Sequence, residues 1–313
     1  MKHLFVLNPV AGGGRRIAEG RAQIQAVMGC HGGDWEIYET KGPEDAIRKV
    51  REAADIGEPL RVYACGGDGT LNECINGAVG QPHVAVTHFP MGTGNDFIKI
   101  FGAGREYFFD LERLLDGQEM AVDVIDVGGR YGVNICSVGL DARIGGDVHK
   151  YSKLPLVRGK AAYLVSLVAN LFQGIATKFE VETGGEIRHE SFTLICACNG
   201  RSYGGAFTPV PEAMPDDGQL DILLVKKVSP LGVLQLVSRY AKGRFREIPH
   251  LITHVQDRRL TVQGEREFVV NVDGEILRRR EVTFTLVPSG VNFFAPRGVS
   301  FVEREKIGVN GSN

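Results

Sequence analysis

With 313 residues, 43% of them hydrophobic and 24% charged, the chain has the composition of a soluble globular protein and the length for two cores. Its formal net charge of −2 gives no global pull toward nucleic acid. Cys30, Cys65, Cys74, Cys136, Cys196 and Cys198 form no CxxC pair and no zinc-type grouping, so reduced, buried thiols in a cytosolic protein are expected. The apolar run at the N-terminus is too short for a signal peptide. The longest apolar stretch, 161–172, is too short to cross a bilayer, which leaves only a peripheral membrane contact.

In chain order, residues 3–7 predict a strand, followed by the glycine-rich loop Asn8-Pro9-Val10-Ala11-Gly12-Gly13-Gly14. Helical spacing of Ile17, Ile24, Val27 and Met28 comes next. This is a candidate phosphate loop opening a helix, although it lacks the Gly-Lys-Ser/Thr of a P-loop and the third glycine of G-x-G-x-x-G; a plain βα turn is the alternative. Residues 35–39 predict a strand ending at Thr40, and Pro43-Glu44-Asp45 the start of a helix. Strand 60–64 leads into Cys65-Gly66-Gly67-Asp68-Gly69-Thr70-Leu71-Asn72, and 71–79 carry helical spacing. Here Thr70 is expected to cap a helix whose N-terminus attracts an anion. A carboxylate at Asp68 suits a phosphate site only if a cation comes too, so the turn reads as phosphate plus Mg²⁺; the alternative is a capped βα turn. Strand 84–89 ends in Gly92-Thr93-Gly94-Asn95-Asp96, a third glycine loop and a second carboxylate. Strand, glycine loop and helix recurring in this way predict a parallel α/β sheet with the loops converging beyond the carboxyl ends of its strands.

From about residue 119 the pattern changes. Residues 119–127 and 130–138 predict strands joined at Gly128-Gly129. A helix over 161–172 follows, then strands at 175–183, 190–198, 219–227, 259–262, 267–272 and 282–287. One helix, from Ser229-Pro230 to Ala241, interrupts them with a serine cap and proline at its first position. This density of strands predicts a β-sandwich. The expected division is an α/β nucleotide-binding domain over 1–127 and a β-rich domain over 128–296. The loop at 199–205 is expected to shape the site between them. Lys150, Lys153, Arg158 and Lys160 flank the 161–172 helix and make a candidate membrane-docking face, with a solvated helix face as the alternative.

The two segments at 66–73 and 92–97, with Asn8-Pro9 and the glycines after them, resemble the diacylglycerol kinase catalytic domain. They resemble most closely the soluble bacterial-type lipid kinases that include sphingosine-kinase-like members. The Gly-Gly-Asp-Gly core is shared more distantly with NAD kinases and 6-phosphofructokinases. The resemblance implies that Asn8, Pro9, Val10, Ala11, Gly12, Thr40, Gly66, Gly67, Asp68, Gly69, Thr70, Leu71, Asn72 and Thr93 hold ATP. It implies that Asp68, Asp96 and Asp123 organise Mg²⁺, with Asp126 the rival of Asp123. A structural Mg²⁺ is implied at the Asp217 side chain and the Met214 and Gln219 carbonyls, where an Asp-Gly turn is the alternative from spacing alone. Asn134, Gly139 and Asp141 stand where the family has Asn, Gly and Asp. The resemblance also implies that a tail at 297–313 rejoins the first domain. Asp273-Gly274-Glu275, which spacing alone reads as a hairpin turn, is implied to be catalytic. Glu275 would accept the proton, with Asp273 orienting or sharing that task.

The expected function is therefore an ATP- and Mg²⁺-dependent kinase that phosphorylates a lipid hydroxyl, diacylglycerol- or sphingoid-like. It would be cytoplasmic and peripheral at the inner membrane face, with a lipid substrate and no nucleic-acid partner, and with a homodimer left open. The rivals are an NAD-kinase-like or other soluble-substrate kinase and a non-catalytic nucleotide-binding regulator.

Overall fold

The computed structural model describes residues 1–14, 16–139 and 176–302. Strands β1 (Lys2–Leu7), β2 (Asp34–Glu39), β3 (Leu60–Gly66) and β4 (Val84–Pro90) pair in parallel in the order β4-β3-β1-β2. The inner three are almost wholly buried, as strands covered on both faces must be, and β2 at the edge is only partly so. Helix α1 (Ile17–His31) buries one face through Gly20, Ile24 and Met28, and α2 (Asp45–Ala54) one face through Ala46, Ile47, Val50, Ala53 and Ala54. Helix α3 (Asp68–Ala78) is buried along most of its length. The α/β half expected from the sequence is thus present.

Two helix starts differ from expectation. Helix α2 begins at Asp45 and not at Pro43: Glu44 has a left-handed φ of 65°, and the Asp45 carboxylate turns back to accept the Lys41 N–H at 2.8 Å. Helix α3 begins at Asp68 with Gly67 as N-cap, so Thr70 lies inside the first turn. Its hydroxyl accepts the Asn8 amide at 3.1 Å instead of capping. A run of 3-10 turns at Phe97–Phe109, not foreseen from the sequence, links β4 to α4 (Leu111–Leu115).

The second half contains β5 (Gln118–Asp126), β6 (Tyr131–Gly132), β7 (Ile135–Gly139), β8 (Thr177–Thr183), β9 (Glu186–Cys198), β10 (Leu220–Lys226), α5 (Pro230–Ala241), β11 (Ile252–Asp257), β12 (Arg259–Val272) and β13 (Glu275–Ala295). The long strands β9 and β12 each pair with β8 in one half and with β7 in the other. The sheet therefore folds over on itself, helped by a bulge in β12 between Gln263 and Phe268. It encloses a core containing Val181, Val262, Val270 and Phe284. Ser229 caps α5, accepting the Gly232 N–H at 3.1 Å, with Pro230 first in the helix. The strand expected over 130–138 is broken at Val133 and Asn134, whose N–H groups turn to the Asp273 carboxylate.

Strand β13 serves both halves. It runs antiparallel to β12 and β5, and at its end Asn292 and Phe293 pair in parallel with Ala85 and Val86 of β4. Val299 and Phe301 then pack on the first core, and the Val302 N–H donates to the Ile100 carbonyl at 3.0 Å. All six cysteines are free, and all but Cys30 are buried. Among the described residues no helix is long and apolar enough to cross a membrane. The expected 161–172 helix, the Lys150, Lys153, Arg158 and Lys160 group, Asp141 and the tail beyond 302 lie outside the described residues.

His88 of β4 is fully buried next to the end of β3, and its Nε2–H donates to the Gly66 carbonyl at 3.1 Å. Burial pushes its imidazole down to about 4. A neutral buried histidine must be deprotonated to fold, so its contribution is complete above about pH 6.5 and is lost as pH falls toward 4. Urea midpoints should fall across that window, by on the order of 3 kcal/mol for this group at full protonation. A His88→Gln variant should show a shallower fall, and equal slopes would refute the assignment.

Candidate active site

The three glycine loops meet where the carboxyl ends of β1, β3 and β4 lie side by side. A Cβ on Gly92 would stand 2.6 Å from the Gly67 Cα and 2.7 Å from its nitrogen, and one on Gly12 would stand 2.8 Å from the Met91 carbonyl oxygen. Only glycine lets these backbones touch. The Gly66 carbonyl accepts the N–H groups of Met91 and Gly92, both at 2.9 Å, and the Asn8 N–H donates to the Cys65 carbonyl at 3.0 Å. Asn8 also closes its own loop by accepting the Val10 N–H at 3.2 Å. Thr40 reaches the same edge, its N–H donating to the Leu7 carbonyl at 3.0 Å. Pro9, Val10, Gly69 and Thr93 are exposed along the rim, whereas Ala11, Gly66, Thr70, Leu71 and Asn72 are buried.

Gly92→Ala should therefore force the central loops apart against backbone atoms that cannot yield. The cost is about 1–3 kcal/mol of overpacking, and nucleotide-dependent thermal stabilisation should be lost. A variant still stabilised by nucleotide to the wild-type extent would show that the loop contact does not matter for binding.

At the centre stand two carboxylates. Asp68 is the first residue of α3, which has no side-chain cap, so the positive end of the helix faces the glycine loops. Its Oδ1 accepts the N–H groups of Asp96 at 2.7 Å and Phe97 at 3.4 Å. Burial first, and then the Asp96 carboxylate, push Asp68 up to about 7; Asp273 adds a smaller push in the same direction. Asp96 pairs with Lys99 and accepts the Gly205 N–H at 2.8 Å. Lys99 in turn donates to the Gly205 carbonyl at 3.1 Å, which ties the second carboxylate to the 199–205 loop of the other half. A pair of like charges in this setting fits a divalent cation accompanied by phosphate oxygens. Among the described residues no three His, Cys, Asp or Glu side chains cluster as a metal site on their own.

Asp273 and Glu275 occupy the turn between β12 and β13, and they are held in different ways. Asp273, with φ of 49°, accepts the N–H groups of Val133 at 2.6 Å, Ile135 at 2.8 Å and Asn134 at 3.1 Å, and the Asn72 amide at 3.1 Å. Burial pushes its carboxyl above the usual range against the pull of these donors. Glu275 is partly exposed and pairs with Arg130, which also lies 3.5 Å from Glu44. Asn72 thus joins helix α3 directly to the Asp273 corner.

Asp123 is engaged elsewhere. Its two oxygens accept the N–H groups of Gly218 at 2.9 Å and Ser289 at 2.7 Å. It is therefore packed against the 214–219 loop, whereas Asp68 is joined to Asp96 through the Asp96 N–H. Asp126 accepts the Gly129 N–H at 2.7 Å and holds the hairpin turn. Asp217 is exposed and accepts the Gln219 N–H at 3.0 Å. Its carboxylate and the Met214 and Gln219 carbonyls would make an oxygen-only donor set, suited to a hard cation. Lys99, Arg130 and Asn76 were not among the expected site residues, whereas Gly205 lies in the 199–205 loop expected to shape the site. Asn76, four residues after Asn72, had a readable signal, because that spacing puts both amides on one face of α3.

The comparisons agree with this architecture. Residues 2–127 match the diacylglycerol kinase catalytic domain, and residues 134–295, more than half the chain, match the YegS C-terminal NAD kinase beta sandwich-like domain. The "Diacylglycerol kinase" of Bacillus subtilis (strain 168) is 28% identical over 276 residues, covering 87% of this chain and 88% of that one. A Shewanella frigidimarina protein named "Probable lipid kinase YegS-like" is 28% identical over 268 residues, covering 80% and 81%. A crystal structure described as a diacylglycerol kinase from Bacillus anthracis superposes with a TM-score of 0.72 over 96% of this chain and 98% of that chain. At 22% identity that likeness establishes the fold.

Proposed function

The chain belongs to the kinase family that joins a diacylglycerol kinase catalytic domain to a YegS-type β-sandwich, and from that premise we propose that it transfers the γ-phosphoryl group of ATP to a lipid hydroxyl of the diacylglycerol or sphingoid type. The observation that carries the reading is the Asp68–Asp96 pair at the uncapped start of α3, joined through Asn72 to the Asp273–Glu275 corner. One centre thus offers both a phosphate-and-cation end and a carboxylate able to take a hydroxyl proton.

In this reading the backbones of 8–12, 66–72 and 92–94, with Thr40, cradle the nucleotide, the helix end supplying positive potential to its phosphates. Leu71 is buried in the core, so only its backbone takes part. Asp68 and Asp96 are the residues that would hold Mg²⁺, which when bound neutralises charge on the phosphates. Asp123 would stiffen the 214–219 loop, where Met214, Asp217 and Gln219 would take a structural cation. The lipid hydroxyl would sit against Glu275, which accepts its proton, while Asp273 holds the turn that carries Glu275. Most of the acceleration is then positioning and charge neutralisation. The proposed division places the nucleotide domain at 1–127 with 297–313 and the lipid domain at 128–296. The family's β-sandwich half gives the lipid chains a second wall across the cleft.

Incubating the protein with labelled ATP, Mg²⁺ and a total lipid extract, beside a parallel reaction with NAD, tests the reading. Label in an organic-soluble product whose mass is that of a phosphorylated lipid is expected. Label in NADP alone, or in nothing despite tight ATP binding, would overturn it.

A further inference from the structure

Helix α3 carries a second asparagine whose bonding the reaction as described does not use. Asn76 is 2% exposed. Its Oδ1 accepts the Tyr131 N–H at 2.9 Å, and its Nδ2 donates to the Tyr131 carbonyl at 2.8 Å. The side-chain amide therefore engages both polar groups of one residue in β6, as a neighbouring strand would. The same nitrogen lies 3.1 Å from Asn72 Oδ1. It also donates to the Asn72 backbone carbonyl at 2.9 Å, so Asn76 holds Asn72 and Tyr131 together, and the Asn72 amide turns its nitrogen toward two acceptors. With Asn72 so turned, its nitrogen donates to the Tyr131 carbonyl at 2.9 Å and to Asp273 at 3.1 Å. Two residues beyond Tyr131, the N–H groups of 133–135 close on the same carboxylate.

We propose that Asn76 is a positioning residue that sets the Asp273–Glu275 corner in register with the nucleotide loop, acting through the Asn72 amide and the backbone of Tyr131. The proposal rests on the lipid-kinase reading given above. Asn76 is buried, its side chain hydrogen-bonds to Asn72 and Tyr131, and it affects turnover only by fixing where the corner stands. Loss of its donor leaves the Tyr131 carbonyl to the Asn72 amide alone and loosens the backbone two residues before the N–H groups that hold Asp273, so the corner is free to shift. A displacement of about 1 Å at a reacting group costs up to roughly 10²-fold in rate.

The test is Asn76→Asp, which keeps the shape and the acceptor but removes the donor, measured with ATP, Mg²⁺ and diacylglycerol in mixed micelles. The expected result is a kcat lower by roughly 10- to 100-fold, with ATP affinity from direct titration within about two-fold of wild type. In a Glu275→Gln background the same change should cost little further, because both act at one corner. Asn76→Ser, which retains a hydroxyl able to donate to the Tyr131 carbonyl, should fall between the two, and it carries the test if Asn76→Asp loses its circular-dichroism signature. A parallel fall of ATP affinity and kcat, or losses that multiply in full with Glu275→Gln, would mean that Asn76 only supports the fold and would overturn the proposal. A wild-type protein that phosphorylates no lipid would instead remove the underlying reading, and the inference with it.

Discussion

Replacing Asp68 by Asn is expected to lower turnover by roughly 10²–10³-fold, the scale of losing one preorganised electrostatic group, while making the ligand-free protein more stable at alkaline pH. The two effects have one cause. Asp68 is partly withdrawn from solvent beside Asp96, and desolvation with that neighbouring carboxylate pushes its carboxyl up to about 7, above the usual carboxylate range. A group whose folded-state pKa is raised contributes stability that is complete below its unfolded value near 4 and is lost as pH rises through about 7. Asparagine keeps the oxygen that accepts the Asp96 and Phe97 N–H groups and removes the charge. Urea denaturation at pH 6.5 and 8.5, above most of the His88 window, should show the wild type weakening and the variant not. Over this interval the wild type should lose about 1 kcal/mol, the rest of the effect having been lost between pH 4 and 6.5. Turnover near wild type in Asp68→Asn would remove this carboxylate from the chemistry. A variant no more stable than wild type at pH 8.5 would contradict the repulsion between the pair.

Glu275→Gln and Asp273→Ala should fail in opposite ways, although the residues are separated only by Gly274. Glu275 is partly exposed and paired with Arg130. Its neutral variant should melt close to wild type, since a pair of this kind is worth about 0–1 kcal/mol, and should bind ATP normally. Its turnover should fall by roughly 10²–10⁴-fold, the usual share of a general base. Asp273 accepts three backbone N–H groups and the Asn72 amide. Truncation would strand all four donors, at about 1–3 kcal/mol for each one left buried and unpaired, and the protein should melt far lower or fail to accumulate. Thermal melts, ATP titration and single-turnover transfer separate the outcomes. A stable Asp273→Ala protein, or a fully active Glu275→Gln protein, would reverse the roles assigned to them.

Much of the site was legible because its chemistry is local. Gly12, Gly67 and Gly92 are glycines where backbone meets backbone, and each follows a strand that patterning alone identifies. Asp68 and Asp96 follow those glycines, so loops converging on one sheet edge brought them together. What was hidden depends on partners far along the chain. The break at Val133 and Asn134 cannot be seen in a run of apolar, β-prone residues, because the carboxylate that captures those N–H groups comes from Asp273. The engagement of Asp123 with Gly218 and Ser289 is equally remote, so alignment with a metal-organising position said nothing about its neighbours here. Thr70 looked like a cap because hydroxyls usually are caps at such turns. The helix began earlier because Gly67 could take the extended φ and ψ needed just before Asp68. Strand β11 escaped notice for a simpler reason: it is mostly half-exposed and shows no clean alternation.

The path of β13 also bears on how the protein is made. The outer edge of β4 is completed by Asn292 and Phe293, which leave a ribosome long after β4 itself does. Until then the nascent α/β half carries a bare, fully buried type of strand at its rim, and such an edge invites pairing with other chains. Closure waits on a loop of roughly 200 residues between Ala85 and Asn292, so folding should be slow and dominated by non-local contacts. A ribosome stalled before residue 291 would hold a nascent chain whose nucleotide half is still open, and chaperone engagement should concentrate there.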